Sequence, residues 1–255
     1  MTLKILTLNI FEGGIYFPNI LKLLKREQPD IFCLQEVYNG INVTLPEYYQ
    51  SMNVLQTEFP QYHSHFSPEL LAITVEGKLD LGNATFSRFP ILKKQTDFFD
   101  IPYGEHPQVS PVHDYSKYPQ NMQTSVIDIE GKKLHVFNVH GIWGTDGDDN
   151  SERLKMSKVI THQIHGKKPA VLMGDFNVQA NTKTIKNIEK HMQNVFKEDL
   201  TTSFNLAHKD LEKYPGYETA VVDMFFVSKD VKVITKSVPD DDVSDHLPLL
   251  CEVEI

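Results

Sequence analysis

The residues whose placement could do chemistry are Asn9, Glu36, His140 and Asp175, each at or just past the end of a short apolar run. Asp223 lies inside a further run, and Asp245 and His246 follow an acidic turn. Burying one carboxylate without a partner costs free energy, and burying several together is prohibitive unless a cation or hydrogen-bond donors compensate. If these run ends converge, they call for a metal ion. Oxygen ligands without a Cys or His cluster select a hard cation, Mg²⁺ or else Mn²⁺. Asp175 and Asn177 stand two apart, so an extended backbone points both the same way. The acid would orient or activate water while the amide donates to a phosphate oxygen. Imidazole can accept or donate a proton at neutral pH. This set suits phosphate-ester hydrolysis, in which negative charge gathers on the non-bridging and leaving oxygens.

The elements that must position these groups are short. Leu3 to Leu8, Ile31 to Leu34, Leu134 to Val139, Ala170 to Met173 and Val221 to Val227 read as buried strands, rich in β-branched residues and bounded by Gly, Pro and Asn. Helical patterns alternate with some of them. Pro18 opens one, Ile20, Leu21 and Leu24 form its stripe, and Pro29 closes it. A second follows Ser151, with Met156, Ile160 and Ile164 facing inward. Thr182 caps a third that turns Ile185, Ile188, Met192 and Val195 inward. Strands outnumber helices and no Gly-rich phosphate loop appears, so a layered α/β sandwich is expected rather than a Rossmann-type sheet. Ile91 to Asn121, with three tyrosines and two histidines, reads as a long irregular loop bordering the site.

Length and composition set limits. The 255 residues are 40% hydrophobic, with no linker or repeat, which predicts one domain over residues 1–255. No stretch is apolar enough to span a bilayer, and no secretory leader stands at the N-terminus. Cys33 and Cys251 sit among apolar residues and read as buried small hydrophobes, so a cytoplasmic location is expected. A net charge of -9 argues against a protein that coats nucleic acid, though not against an enzyme that visits it.

The order of the segments adds a resemblance. Along the chain stand Leu-Thr-Leu-Asn9, Leu-Gln-Glu36-Val, Gly-Asn83-Ala-Thr-Phe-Ser-Arg88-Phe-Pro, Asn-Val-His140-Gly-Ile-Trp143, Gly-Asp175-Phe-Asn177, Val-Asp223-Met-Phe-Phe-Val-Ser and Ser-Asp245-His246-Leu-Pro. In that order they resemble the endonuclease/exonuclease/phosphatase superfamily, the deoxyribonuclease-like metal-dependent phosphoesterases. The resemblance implies a four-layer α/β sandwich, two packed, mainly antiparallel sheets flanked by helices. It implies that Glu36, helped by Asn9, holds Mg²⁺ against a phosphate oxygen, and that Asp223 and Asp245 support a histidine or contribute to a metal site. His246 would be the base or a phosphate ligand. Asp175 would position or deprotonate the water, Asn177 would contact the phosphoryl group, and His140 would stabilise the phosphate or protonate the leaving oxygen.

Weaker signals stay open. Asn83 and Arg88 read equally as phosphate-facing groups and as a turn with Arg88 on the surface. Trp143 suits either the core or a wall for a substrate ring. Asp146, Asp148 and Asn150 imitate the start of a calcium loop but lack its Gly and closing Glu, so a solvated loop capping the next helix is expected. His63 and His65, like His162 and His165, read as surface histidines. The leading substrate is nucleic acid, cut as a phosphodiester. A small-molecule or lipid phosphate of the inositol phosphate or sphingomyelin type is the alternative, and a non-catalytic binding protein comes last. Lys93-Lys94, Lys132-Lys133 and Lys167-Lys168 are candidate strand contacts, and Phe98, Phe99 and Ile101 a candidate lipid-facing tip.

Overall fold

Side chains alternate across a strand, and here the alternation sorts the molecule into layers. The computed structural model describes residues 1–40, 44–107, 115–212 and 215–255. The chain runs through β1 (Thr2–Asn9), α1 (Phe17–Glu27), β2 (Ile31–Gly40), α2 (Ser51–Glu58), β3 (His63–Ile73), β4 (Lys78–Ser87), β5 (Ile91–Phe98) and β6 (Glu105–Pro107). It continues through β7 (Asn121–Ile129), β8 (Lys132–His140), α3 (Ser151–Ile164), β9 (Ala170–Asp175), α4 (Lys183–Glu189), β10 (Gln193–Asn194), β11 (Asp223–Val227), β12 (Lys232–Ser237) and β13 (Leu249–Glu254). One sheet is ordered β12-β13-β1-β2-β4-β3-β6 and the other β10-β11-β9-β8-β7-β5. β1 with β2, β3 with β6 and β8 with β9 are parallel, and the other neighbours are antiparallel.

Leu3, Ile5, Ile31 and Cys33 of the first sheet meet Val136, Met173 and Phe225 of the second in a layer between the sheets. Leu6, Leu8, Phe32 and Leu34 turn the other way, onto Ile20, Leu23 and Leu24 of α1 and Met52 and Leu55 of α2. On the far side Phe137, Val139 and Leu172 cover Met156, Ile160 and Ile164 of α3 and Ile185 and Ile188 of α4. The result is the expected four-layer sandwich. Each of these side chains contributes roughly 1.5–3 kcal/mol when fully buried. The helix signals hold as well: α1 has Pro in its first turn, and Asn150 caps α3 by accepting the Arg153 N–H at 2.8 Å.

The same two-residue period delivers the polar residues. β1 sends Leu3, Ile5, Thr7 and Asn9 to one face, β8 sends Leu134, Val136, Asn138 and His140, and β9 sends Val171, Met173 and Asp175. Each stripe changes from apolar to polar toward the same end of the sandwich. Buried side-chain bonds stitch the sheets where the change occurs: Gln35 Nε2 donates to Asn138 Oδ1 at 2.6 Å and Asn138 Nδ2 to the Leu34 carbonyl at 3.1 Å.

Four expectations need correction. Ile91 to Phe98 is not loop but β5, an edge strand whose half-exposed residues show no apolar alternation; residues 108–114 of the expected loop lie outside the described residues. Phe99 is buried on the helix side and forms no exposed apolar tip. The third helix stops at Glu189, and Met192 and Val195 reach the core from the segment beyond it. Asp223 opens β11 rather than lying inside a strand. Among the described residues no helix is long and apolar enough to cross a membrane.

Candidate active site

The cluster begins where β1 and β2 run parallel, with Asn9 opposite Gln35. The pairing of β2 with β4 shifts between Leu34 and Val37, and Glu36 sits inside this bulge at φ 60. A left-handed conformation at a non-glycine costs on the order of 1 kcal/mol or more and persists where its surroundings enforce it. Here the Gly13 N–H donates to the Glu36 carbonyl at 2.9 Å and the Glu12 N–H to Glu36 Oε2 at 2.7 Å. The turn after β1 thus grips Glu36 and leaves its carboxylate partly open to solvent. Asn9 Nδ2 donates to Glu36 Oε1 at 2.9 Å and to Asp175 Oδ2 at 3.1 Å, while Asn9 Oδ1 accepts from the Phe11 N–H at 3.0 Å.

Asp175 ends β9. Gly174 before it has φ 131, and a Cβ there would meet the Val139 carbonyl oxygen at 2.1 Å, so glycine lets β8 and β9 bring His140 and Asp175 side by side. Asp175 Oδ1 accepts the Asn177 N–H at 2.8 Å. Asn177 is itself left-handed at φ 53, and its Nδ2 donates to the Gly141 carbonyl at 3.1 Å. Burial, reinforced by the charge of Asp223, raises the Asp175 carboxyl above the usual range against the pull of His246 and His140.

Two imidazoles share one design. His140 Nδ1 bonds Glu69 Oε2 at 3.0 Å, which leaves Nε2 at 3.9 Å from Glu36 Oε1. His246 Nδ1 bonds Asp223 Oδ2 at 2.8 Å, which leaves Nε2 at 4.0 Å from Asp175 Oδ2 and 3.9 Å from Asp245 Oδ1. Burial alone would lower both rings. The Glu69 charge and hydrogen bond, with Asp175 and Glu36 beyond, instead hold His140 up at about 10. Asp223 and Asp245 do the same for His246, also at about 10. Both rings are therefore cationic at neutral pH and present Nε2–H to a ligand.

Asp245 is buried, and its Oδ2 accepts from Lys209 Nζ. Asp175, Asp223 and His246 offer ligand atoms within 4.8 Å of one another. Glu12, near Glu36 and Asp245, is raised by burial and by the charges of both. Carboxylates crowd this end beyond what two imidazoles and one ammonium offset. That surplus of hard oxygen donors fits a hard divalent cation, with Glu36 and Asp175 best placed to hold it. Asn9, expected to help, turns its Nδ2 donor to both carboxylates and its Oδ1 to the Phe11 N–H, so it spaces them rather than offering an oxygen.

Two expected members stand elsewhere. Arg88 follows β4, beside the start of β2, and bonds the Tyr62 hydroxyl at 3.0 Å and the Gln28 carbonyl at 3.1 Å. The rise of a strand places it about 17 Å from Glu36, so the surface reading of Arg88 holds. Asn83 is wholly buried and supports the cluster from behind, donating to Glu69 Oε1 at 3.0 Å. Trp143, half-buried, lies 5.5 Å from the Tyr115 ring. His65 is not a surface residue: it is buried, and Nδ1 meets Ser125 Oγ at 2.9 Å. Sequence reasoning missed Glu69 and Lys209. Glu69 had the signal that exposed Asp223, a carboxylate against an apolar run, here Leu70 to Ile73.

The sequence profile of the Endonuclease/Exonuclease/phosphatase family matches residues 6–246. Among solved structures, an endonuclease/exonuclease/phosphatase from Beutenbergia cavernae DSM 12333 has a TM-score of 0.77 at 17% identity, covering 100% of this chain and 72% of that one. A mannosyl-6-phosphatase from Bacteroides thetaiotaomicron VPI-5482 has a TM-score of 0.68 at 20% identity, covering 99% of this chain and 100% of its own. The human Nocturnin catalytic domain with bound sulfate anion has a TM-score of 0.66 at 18% identity, covering 99% and 94%. At such identities the likeness is one of fold. No curated protein matches the sequence. With the profile matched over almost its whole length, the chain belongs to the endonuclease/exonuclease/phosphatase family of phosphoester hydrolases.

Proposed function

We propose that this chain is a single-domain, divalent-metal-dependent phosphoesterase that acts on a small organic phosphate. The observation that supports the reading is the meeting of Glu36 and Asp175 through Asn9, at 2.9 and 3.1 Å, with the Nε2 atoms of His140 and His246 about one ligand atom away.

A Mg²⁺ or Mn²⁺ ion held by Glu36 and Asp175, which the Asn9 amide spaces, would supply Lewis-acid stabilisation of charge on a phosphate oxygen. Asp175, raised by burial and Asp223, orients the attacking water and takes its proton as the water oxygen bonds to phosphorus. His246, fixed by Asp223, donates Nε2–H to a non-bridging oxygen. His140, fixed by Glu69, gives its Nε2 proton to the leaving oxygen as the ester bond breaks. Asn177 adds a neutral donor beside Asp175. His246→Ala is expected to lower the rate by about 10²- to 10⁴-fold.

The small-substrate reading rests on charge. Lys132-Lys133 open β8, whose last residue is His140, and Lys167-Lys168 precede β9, whose last residue is Asp175. At the rise of a strand these pairs lie about 23–26 Å from the cluster. Lys93-Lys94 lie on the edge strand β5. None of these pairs forms a cationic track beside the site, which a polyanion would need. The likeness to a mannosyl-6-phosphatase fold agrees with a compact phosphate. One observation favours nucleic acid as a second reading: Trp143 against Tyr115 offers an aromatic surface on which a base could stack.

Turnover of hexose phosphates, nucleoside monophosphates, inositol phosphates, sphingomyelin, RNA and duplex and abasic DNA, with Mg²⁺ or with EDTA, tests the reading, with Glu36→Gln as control. Mg²⁺-dependent release of phosphate from a small substrate, faster than cleavage of any polymer, is expected. Preferred cleavage of a polymer would overturn the substrate class, and equal activity of Glu36→Gln would overturn the site.

A further inference from the structure

Asp245 looks like a metal ligand in the sequence, yet the structure gives it a different cation. Lys209 Nζ donates to Asp245 Oδ2, and the Lys209 side chain is only 13% exposed. Its ammonium lies 4.5 Å from the Phe204 ring centroid and 4.9 Å from that of Tyr217, two aromatic faces that favour a cation. Phe204 packs at 4.7 Å against the His246 ring. The backbone fixes this arrangement: Phe204 bridges His246, the Asn205 N–H donates to the Asp245 carbonyl at 2.9 Å, and the Leu247 N–H donates to the Ser203 carbonyl at 2.8 Å. Asp245 Oδ1 is thereby held 3.9 Å from His246 Nε2.

A buried carboxylate needs one countercharge, and Lys209 supplies it. With one oxygen bonded to an ammonium, a divalent ion at the same carboxylate would meet a cation at close range in a partly dry site, where charges interact more strongly than in water. Among the described residues Glu36 has no bonded ammonium: its carboxylate accepts from the Asn9 amide and the Glu12 N–H, has the His140 ring only at 3.9 Å, and stays partly exposed. The two acidic sides of the cluster are therefore unlike.

We infer that Lys209 is the resident cation of Asp245, a positioning residue that keeps the divalent ion to the Glu36 side, so the enzyme works with one metal ion and one built-in ammonium. This rests on the phosphoesterase reading above. Removing the ammonium opens Asp245 to a second ion. Lys209→Met keeps a stem of similar size over the two rings and deletes the charge, whereas Lys209→Arg restores it.

The test is Mn²⁺ binding to the whole protein, followed by the electron paramagnetic resonance of free Mn²⁺, together with the Mg²⁺ dependence of phosphate release. Expected are one Mn²⁺ per chain for wild type and Lys209→Arg, and two for Lys209→Met. The Lys209→Met rate should be about 10- to 100-fold lower at limiting Mg²⁺ and rise steeply with Mg²⁺, the scale typical of residues that position ligands. Two Mn²⁺ per wild-type chain, or a folded Lys209→Met that binds one with unchanged Mg²⁺ dependence, would overturn the inference and leave the phosphoesterase reading standing. No Mn²⁺ bound to wild type would sink both. The wild-type stoichiometry decides even if Lys209→Met does not fold.

Discussion

Asn9 and Asp175 are joined by a buried hydrogen bond of 3.1 Å that crosses from one sheet to the other. Each is the last residue of its strand, so the bond ties together the polar ends of two stripes that begin apolar, Leu3 and Ile5 in β1 and Val171 and Met173 in β9. Because the same amide also donates to Glu36, one side chain fixes the spacing of two carboxylates that would otherwise repel each other. Asn9→Ala removes this spacer. A loss of about 10- to 100-fold in kcat is expected, with a raised Mg²⁺ requirement, in a protein that still folds. Unchanged steady-state kinetics across Mg²⁺ concentrations would count against the spacer role.

Glu69 predicts a pH effect. Its charge and hydrogen bond offset the burial that would lower His140. In Glu69→Gln the ring should lose its proton at lower pH, so the alkaline limb of kcat/KM moves to lower pH and activity at neutral pH falls. The measurement is the pH profile of kcat/KM for both proteins. Superimposable limbs would mean that Glu69 does not set the protonation of His140.

His65 predicts a stability effect of the opposite kind. Burial, with a contribution from Lys94, holds its ring down at about 4, below the ordinary 6.5. The neutral ring therefore stabilises the fold above pH 6.5, and that contribution, about 3 kcal/mol when complete, fades as the pH falls through 6.5 toward 4. His65→Gln should lower stability near pH 7 yet flatten the fall of Tm between pH 6.5 and 4. Parallel Tm curves for the two proteins would refute the assignment.

Arg153 holds the loop that follows His140. Its buried guanidinium donates to the Ile142 carbonyl at 3.1 Å, the Asp148 carbonyl at 2.5 Å and Asp146 Oδ1 at 3.0 Å. Arg153→Met strands two carbonyls and should cost about 2–4 kcal/mol in denaturant unfolding. Lys cannot span the same fork, so Arg153→Lys should recover little of the loss. A variant as stable as wild type would show that the loop closes without it.

Much of this was legible because period two is written in the strands. Leu3, Ile5, Thr7 and Asn9, or Val171, Met173 and Asp175, show by composition alone where a buried face turns polar, and that change marks the site. β5 escaped because an edge strand with half-exposed residues carries no such contrast. Glu69 escaped because Pro68 beside it argues against a strand, although β3 accommodates it where its pairing with β4 shifts between Pro68 and Leu70. Lys209 lies between strands, in a segment without periodicity, and only folding brings it to Asp245. Arg88 looked like part of the site because it shares a motif with Asn83, yet the strand between them separates the two along its length.

The chemistry above turns on a divalent ion held at Glu36. Crystals soaked in Mn²⁺ and measured at the manganese absorption edge test it most directly. The expected result is an anomalous peak within about 2.5 Å of a Glu36 carboxylate oxygen, a generous bound for a hard divalent ion and its oxygen ligands, with no peak in Glu36→Gln. A peak bound elsewhere, or one that survives in Glu36→Gln, would contradict it.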